Sequence, residues 1–484
     1  MIIGVDIGTT MTKASAIRHD GSLGATASMR SLLEQGEGGR VEQDLDNVIA
    51  SVASVVREIA TSVSEPIEAV AITGQGDGLW LRDAQGRAVR PPISWMDARA
   101  VDIVDAWNSG GAESVSDQVF RLTGSGLFPG CHAALIAWLA ANEPESLEAA
   151  AVAGYCVDAV IHSLTGVMTT DASNASLPFL DVRRREYVDE ALQLCGIAEW
   201  RHLLPTPAES GTIFTLDPHG AELLGLPLGT PVTGGPYDLQ ACGFGSGTTR
   251  AGEGTLVVGT TLSCQVLTTD TTIDPNSEPA GMWLCTTDQD LFLRVMPSMV
   301  GTASIDWFVE LFALAPKDVN DLILQSPPGA NGIEVLSFFS PAGERAPFVE
   351  PSARGQFSGL QLRTTRADLM RGLCEGLAYA ARHCFEEMGL DGEVAACGGG
   401  LKSEAWAAIF ADVLGRPLLL PDDTAVGARG AAMIAWAGLG TPVDEELWRS
   451  QRRRIEPDAS RTKFYDEGFA RYRAQLESAR ALWK

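Results

Sequence analysis

A chain of 484 residues is too long for a single hydrophobic core, which predicts two large domains of roughly 200 to 250 residues each. Hydrophobic content of 45%, with 51 Gly and 25 Pro, fits a folded, turn-rich α/β protein and excludes a disordered one. A formal net charge of −26 opposes nucleic acid and anionic membranes, since both bind through neutralisation of phosphate by Lys and Arg.

The first elements in chain order are strands. "IIGVDIGTTMTKASAIRHDGSLGATASM" reads as an apolar strand, a Gly-Thr-Thr turn, a second strand, and a turn at Asp20-Gly21 into a third. "DLDNVIASVASVVREIATSV" follows as an amphipathic helix from Leu45 to Val63, capped by Asp44 or Asp46. "IEAVAITGQGDG" runs a further apolar strand into a glycine-rich turn, and "AALIAWLAA" is a buried helix segment. No apolar run approaches the ~18 residues of a membrane span, and "MIIGVDIGTT" lacks a basic leader, so the expectation is a protein neither secreted nor membrane-spanning.

The second half repeats this plan. "GEGTLVVGTTLSCQVLTT" gives strand, Gly259-Thr260-Thr261, strand, and "GEVAACGGGLKS" again runs a strand into glycines. Two matched elements in matched order indicate a duplicated unit. "RADLMRGLCEGLAYAARHCFEEMG" predicts an amphipathic helix from Leu369 to Met388 with Gly389 as C-cap, and "KSEAWAAIFADVLG" a helix starting directly after the glycine turn. Arg452-Arg453-Arg454 reads as a solvated helix flank, and "YDEGFARYRAQLESARALW" as a final surface helix. Nine cysteines lie singly, without a C-x-x-C pair or a Cys/His cluster, as expected for reduced thiols in a cytoplasmic protein.

Several of these elements suit phosphate chemistry. Asp6 ends an apolar strand, where a carboxylate without a partner is costly. Gly8 lets a phosphate approach the backbone, and the hydroxyls and N–H groups of Thr9 and Thr10 can bond its oxygens; a tight hairpin closed by Asp6 is the structural alternative. The Gly-Thr-Thr copy at 259–261 favours phosphate. No G-x-x-x-x-G-K-[ST] run exists, which excludes a Walker loop. Asp238, within "GGPYDLQACGFG", either caps the helix that follows or performs chemistry.

"GVDIGTTMTKA", "SWMDARA", "SLTGVMTTDASNAS", "GGPYDLQACGFGSG", "VVGTTLS", "GERAPFVEPSARGQFSGL" and "CGGGLKSEAWAAIFADVLGRPL", in this order over nearly the whole chain, resemble the FGGY carbohydrate kinases. The resemblance implies an α/β, actin-like, ribonuclease H-like fold of two duplicated domains, with ATP and sugar in the cleft between them. It sets domains at 1–245, with the sugar and the first phosphate hairpin, and 246–484, with ATP. It makes Asp238 the general base, puts Asp6 near Mg²⁺ through water, and assigns Thr9, Thr10, Lys13, Gly259 and Thr260 to the phosphates. Gly399, Gly400 and Ser403 match the adenosine-side motif.

The implied activity is transfer of the ATP γ-phosphate to a pentulose or short polyol, with a homodimer as a candidate assembly. The sugar side is expected from Gln75, Gly76, Asp77, Trp95, Asp97 and Tyr237. At 76–77, D-xylulose kinases of the family carry Met-His and glycerol kinases Arg-Glu; Gly76-Asp77 here is instead similar to the L-xylulose and erythritol kinases. Asp77 is expected in an exposed loop, where it either accepts bonds from sugar hydroxyls or only closes a turn, and Asp97 with Arg99 is alternatively a structural pair. A non-catalytic sugar or nucleotide sensor and a sugar-independent ATPase are the competing classes.

Overall fold

The computed structural model describes residues 1–274, 277–422, 425–450 and 452–483. The chain forms two compact units, 1–247 with 269–293 and 425–450, and 248–268 with 294–424 and 451–484. A single cut at 245/246 therefore misses two returns of the chain to the first unit. Among the described residues no helix is long and apolar enough to cross a membrane.

The first unit is built on a six-stranded sheet of order β5-β6-β4-β1-β2-β3, comprising β1 (Ile2–Ile7), β2 (Met11–Ile17), β3 (Leu23–Arg30), β4 (Ala69–Gly74), β5 (Ile213–Thr215) and β6 (Pro231–Thr233). β1 pairs antiparallel with β2 and parallel with β4, and β4 pairs parallel with β6. Gly21, at φ 83, turns the chain from β2 to β3, so the Asp20-Gly21 hairpin forms as expected. The helix Leu45–Ser62 begins at Asp44, whose carboxylate accepts the Asn47 N–H, and buries Val48, Val52, Val56 and Ile59 against one face of the sheet. A separate apolar cluster gathers Leu79, Ile93, Leu135 and Leu139, the latter two from the buried helix His132–Asn142.

The opposite face of the sheet is covered by the helix Val426–Gly438, which packs Ala428, Ala431 and Ala435 with Ile2, Ile17, Ala69 and Ala71. Close approach depends on glycine: a Cβ at Gly4 would lie 2.3 Å from the Ala428 carbonyl oxygen. This contact is what returns residues 425–450 to the first unit.

The second unit repeats the arrangement. β7 (Gly254–Val258), β8 (Leu262–Thr268), β9 (Phe292–Ser298), β10 (Val394–Cys397), β11 (Leu418–Pro421) and β12 (Arg452–Ile455) run in the order β9-β8-β7-β10-β11-β12. β7 is antiparallel to β8 and parallel to β10, as β1 is to β2 and β4. The matched pairings support duplication beyond local likeness.

The helix Arg366–Glu387 starts at a Thr365–Asp368 capping box, and Gly389, at φ 71, follows Met388 past its end. The helix Thr462–Arg480 is not only a surface element, since it buries Tyr465, Phe469, Tyr472 and Leu476. Arg452–Arg454 form part of β12 rather than a helix flank. Arg453 pairs with Glu404 at 2.6 Å and Arg454 with Glu393 and Glu456, so neighbouring carboxylates balance the basic run.

Candidate active site

The turn after β1 is built by its backbone. The Gly8 N–H donates to the Met11 carbonyl (3.0 Å), and the Ser31 hydroxyl and N–H donate to the carbonyls of Gly8 (2.9 Å) and Thr10 (3.0 Å). Asp6 stands one residue before Ile7, the last of β1, opposite Lys13 on β2 and beside Thr73 on β4. Burial pushes its carboxyl up to about 6, against the opposing pull of Lys13. Lys13 and Thr10 are exposed.

The Thr9 hydroxyl has its partners on neighbouring loops. It accepts from the Trp95 indole N–H (2.9 Å) and donates to Gln75 Oε1 (3.1 Å). Gln75 Nε2 donates in turn to Gln43 Oε1 (2.8 Å). Thr9 thus ties the half-buried Trp95 to Gln75, leaving its N–H rather than its hydroxyl as the group suited to phosphate.

The loop after β4 is tightly constrained. A Cβ at Gly76 would lie 2.4 Å from the Tyr237 ring, so only glycine lets that ring cover the loop. A Met at 76 would therefore require the Tyr237 ring to move. Asp77 is not in an exposed loop: it is 5% exposed, in the left-handed region at φ 52. The carbonyl of Gly78 accepts from His132 Nδ1 (3.1 Å), and burial lowers this imidazole to about 4, which keeps it neutral. In the sequence His132 reads only as the first residue of an apolar helix.

Asp97 belongs to the scaffold rather than to an open sugar wall. Its two oxygens accept from the Val41 N–H (2.7 Å), the Arg99 N–H (2.9 Å), Arg99 Nε (2.8 Å) and Arg99 Nη2 (2.8 Å). Four bonds leave this carboxylate little capacity for a further hydroxyl.

Asp238 is the first residue of the helix Asp238–Ser246, with Tyr237 as N-cap and no side-chain capping bond. Burial first, then Asp6 and Asp77, raises its carboxyl well above the ordinary range, while the Leu239 N–H favours the charged form. Two carboxylates of the same unit therefore act on Asp238. The helix is held against Val426–Gly438 by glycines: a Cβ at Gly245 would lie 1.8 Å from the Val426 carbonyl oxygen, and one at Gly430 1.8 Å from that of Ala241. Gly427 borders the site itself, where a Cβ would lie 2.5 Å from Asp6 Oδ2.

The second unit carries the remaining motif residues. The Gly259 N–H donates to the Thr261 carbonyl (3.1 Å), which closes a turn one residue shorter than that at Gly8, and Thr260 is exposed. The carbonyls of Gly259 and Thr260 accept from the Thr302 (2.7 Å) and Gly301 (2.8 Å) N–H groups, a brace with no sequence signal beyond one glycine. A one-turn 3₁₀ helix, Gly399–Lys402, precedes the helix Glu404–Leu414, which therefore does not start directly at the glycines. A Cβ at Gly400 would meet Val258 at 2.5 Å, whereas one at Gly399 meets nothing within 4 Å and leaves open surface. Ser403 is the helix N-cap, and its hydroxyl bonds Asn320 Oδ1 at 3.0 Å.

Among the described residues no three His, Cys, Asp or Glu side chains converge as a metal cage. The donor set nonetheless fits Mg²⁺, which keeps much of its water and takes only one or two carboxylates. Asp6 and Asp238 are raised by burial, and Asp238 further by Asp6, a condition that a divalent cation would relieve.

Residues 1–245 match the model of the FGGY family of carbohydrate kinases, N-terminal domain, and residues 254–439 that of its C-terminal domain. The chain is 31% identical to erythritol kinase of Brucella abortus, over 100% of this chain and 97% of that one. It is 29% identical to L-fuculokinase of Escherichia coli O157:H7, over 93% and 95%. The crystal structure of xylulose kinase from Rhodospirillum rubrum superposes with a TM-score of 0.89 at 28% identity, covering 99% of each chain. The fold is thus the actin-like, two-domain α/β architecture, in agreement with the duplicated sheets.

Proposed function

The chain belongs to the FGGY family of carbohydrate kinases and is a sugar kinase phosphotransferase, and from that premise we propose that it transfers the γ-phosphate of ATP to a hydroxyl of a short polyol or a pentulose, with Asp238 as general base. The observation that carries this reading is Asp238 itself. It is the first residue of a helix whose N-cap is Tyr237, and its carboxyl holds a proton more readily than an ordinary aspartate. A base of that kind aligns the acceptor hydroxyl and takes its proton as the new oxygen–phosphorus bond forms and the bond to ADP breaks. Asp6 would hold Mg²⁺ through water beside the ATP phosphates, and the ion would supply neutralisation of their charge. The N–H groups of Thr9, Thr10 and Thr260, with Lys13, bond phosphate oxygens, and open Gly399 and braced Gly400 accept the adenosine side.

The similarity to erythritol kinase over both full lengths makes a four-carbon polyol the first acceptor to test. Asp77, Gln75 and Trp95 read the acceptor, with Tyr237 closing over Gly76. ADP release is to be measured with erythritol, D- and L-xylulose, L-fuculose, glycerol and no acceptor. Stimulation by one of the short polyols or pentuloses supports the reading, whereas basal hydrolysis indifferent to all of them overturns it.

Asp77→Asn is expected to raise KM for the preferred acceptor by about tenfold, because a hydrogen bond to a charged acceptor is worth about 1.5 to 3 kcal/mol. Asn tolerates the left-handed backbone, so this variant removes charge without the strain that Ala would add at φ 52. An unchanged KM would return Asp77 to a purely structural role.

A further inference from the structure

We infer that Thr73 and Ser173 form a hydroxyl clamp on the single peptide unit that precedes the Tyr237–Asp238 step, and that this clamp positions Asp238; the inference rests on the reading of Asp238 as general base. The Thr73 hydroxyl donates to the Pro236 carbonyl at 2.7 Å, and the Tyr237 N–H donates to Ser173 Oγ at 2.9 Å. Those two groups are the C=O and N–H of one planar peptide, so the plane is held at both of its polar atoms. Both hydroxyl residues are 0% exposed, where a lost bond is not replaced by water.

The clamp is itself braced. Ser173 Oγ donates to Asp171 Oδ1 at 2.5 Å, and the same oxygen accepts from the Ser173 N–H (2.8 Å) and the Ser210 hydroxyl (2.7 Å). Asp171 is 2% exposed, so water does not compete for these bonds. On the other side, Gly235 at φ 63 brings the chain against β4, where a Cβ would lie 2.1 Å from the Ile72 carbonyl oxygen. The chain thus enters the helix along one path, and the direction of the Asp238 side chain follows from the fixed plane.

The Asp238 carboxylate accepts from the N–H of the next residue, Leu239, on the same stretch of chain, so its aim depends on the backbone that carries both. A shift of about 1 Å in a reacting group costs up to roughly 10²-fold in rate. Thr73 and Ser173 are positioning residues in this scheme and touch no substrate.

The test uses the full-length enzyme with its preferred acceptor and compares Thr73→Val, Ser173→Ala, Thr73→Ser and Asp238→Asn, alone and combined. Thr73→Val and Ser173→Ala are expected to lower kcat by about 10- to 100-fold with KM for ATP and acceptor within about twofold. Thr73→Ser, which keeps the hydroxyl, is expected to retain kcat. In the Asp238→Asn background Thr73→Val should cost nothing more, because there is no base left to aim. Wild-type kcat in both hydroxyl variants, or a loss that persists undiminished beside Asp238→Asn, overturns the clamp. If Asp238→Asn alone lowers kcat, the base reading survives that failure; if it does not, both readings fall. Should Ser173→Ala not fold, the Thr73→Val and Thr73→Ser pair decides.

Discussion

Asp238→Asn is expected to lower kcat by roughly 10² to 10⁴-fold, the usual contribution of a general base, while leaving KM for ATP and acceptor within a few-fold. The same substitution should raise the melting temperature in metal-free buffer at neutral pH. Burial and the charges of Asp6 and Asp77 raise the Asp238 carboxyl well above the ordinary carboxylate range, so the folded state binds its proton more tightly than the unfolded chain does. Ionised Asp238 therefore costs stability at pH values above its raised folded-state value. That cost disappears as pH falls toward the ordinary carboxylate range, where the group is protonated in both states. Asn carries no charge and escapes the cost throughout. Slower turnover combined with a more stable fold distinguishes a strained functional carboxylate from a helix cap, whose loss would destabilise by about 1 kcal/mol. Near-normal kcat with a lowered melting temperature would return Asp238 to the cap role.

Gly430→Ala is expected to give the largest loss of stability. The added Cβ would lie 1.8 Å from the Ala241 carbonyl oxygen, and no side-chain rotation relieves a clash between a Cβ and a backbone atom. The helices Asp238–Ser246 and Val426–Gly438 must separate, at a cost of about 3 kcal/mol by analogy with overpacked cores. A fall in melting temperature of at least about 5 °C follows for a unit of this size. Since Asp238 heads the displaced helix, kcat should fall with it. Gly399→Ala is the matched control, because its Cβ meets nothing within 4 Å, and it should leave the melting temperature unchanged. Equal melting temperatures for wild type and Gly430→Ala would show that the two helices part without cost.

The sequence by itself determined the local elements and the repeat. The Asp20-Gly21 turn, the Asp44 cap of Leu45–Ser62 and the paired Gly-Thr-Thr hairpins depend on neighbours within a few residues, and local chemistry of that kind is written in the chain. The ordered motifs were likewise enough to identify the family and to single out Asp238.

Only the tertiary structure decided which distant residues meet. It returned 425–450 to the first unit through Gly4, Gly245 and Gly430, spent the Asp97 carboxylate on Arg99 and Val41, and turned the Thr9 hydroxyl to Trp95 and Gln75. It also buried Asp77 in a loop that reads as exposed, and made a strand of Arg452–Arg454 by pairing it with Leu419–Pro421. Apart from the Asp97–Arg99 pair, whose members are two residues apart, the deciding quantity is burial or a partner tens to hundreds of residues away. Periodicity, capping and turn chemistry report only on the next few residues, so a single sequence leaves those partners unspecified.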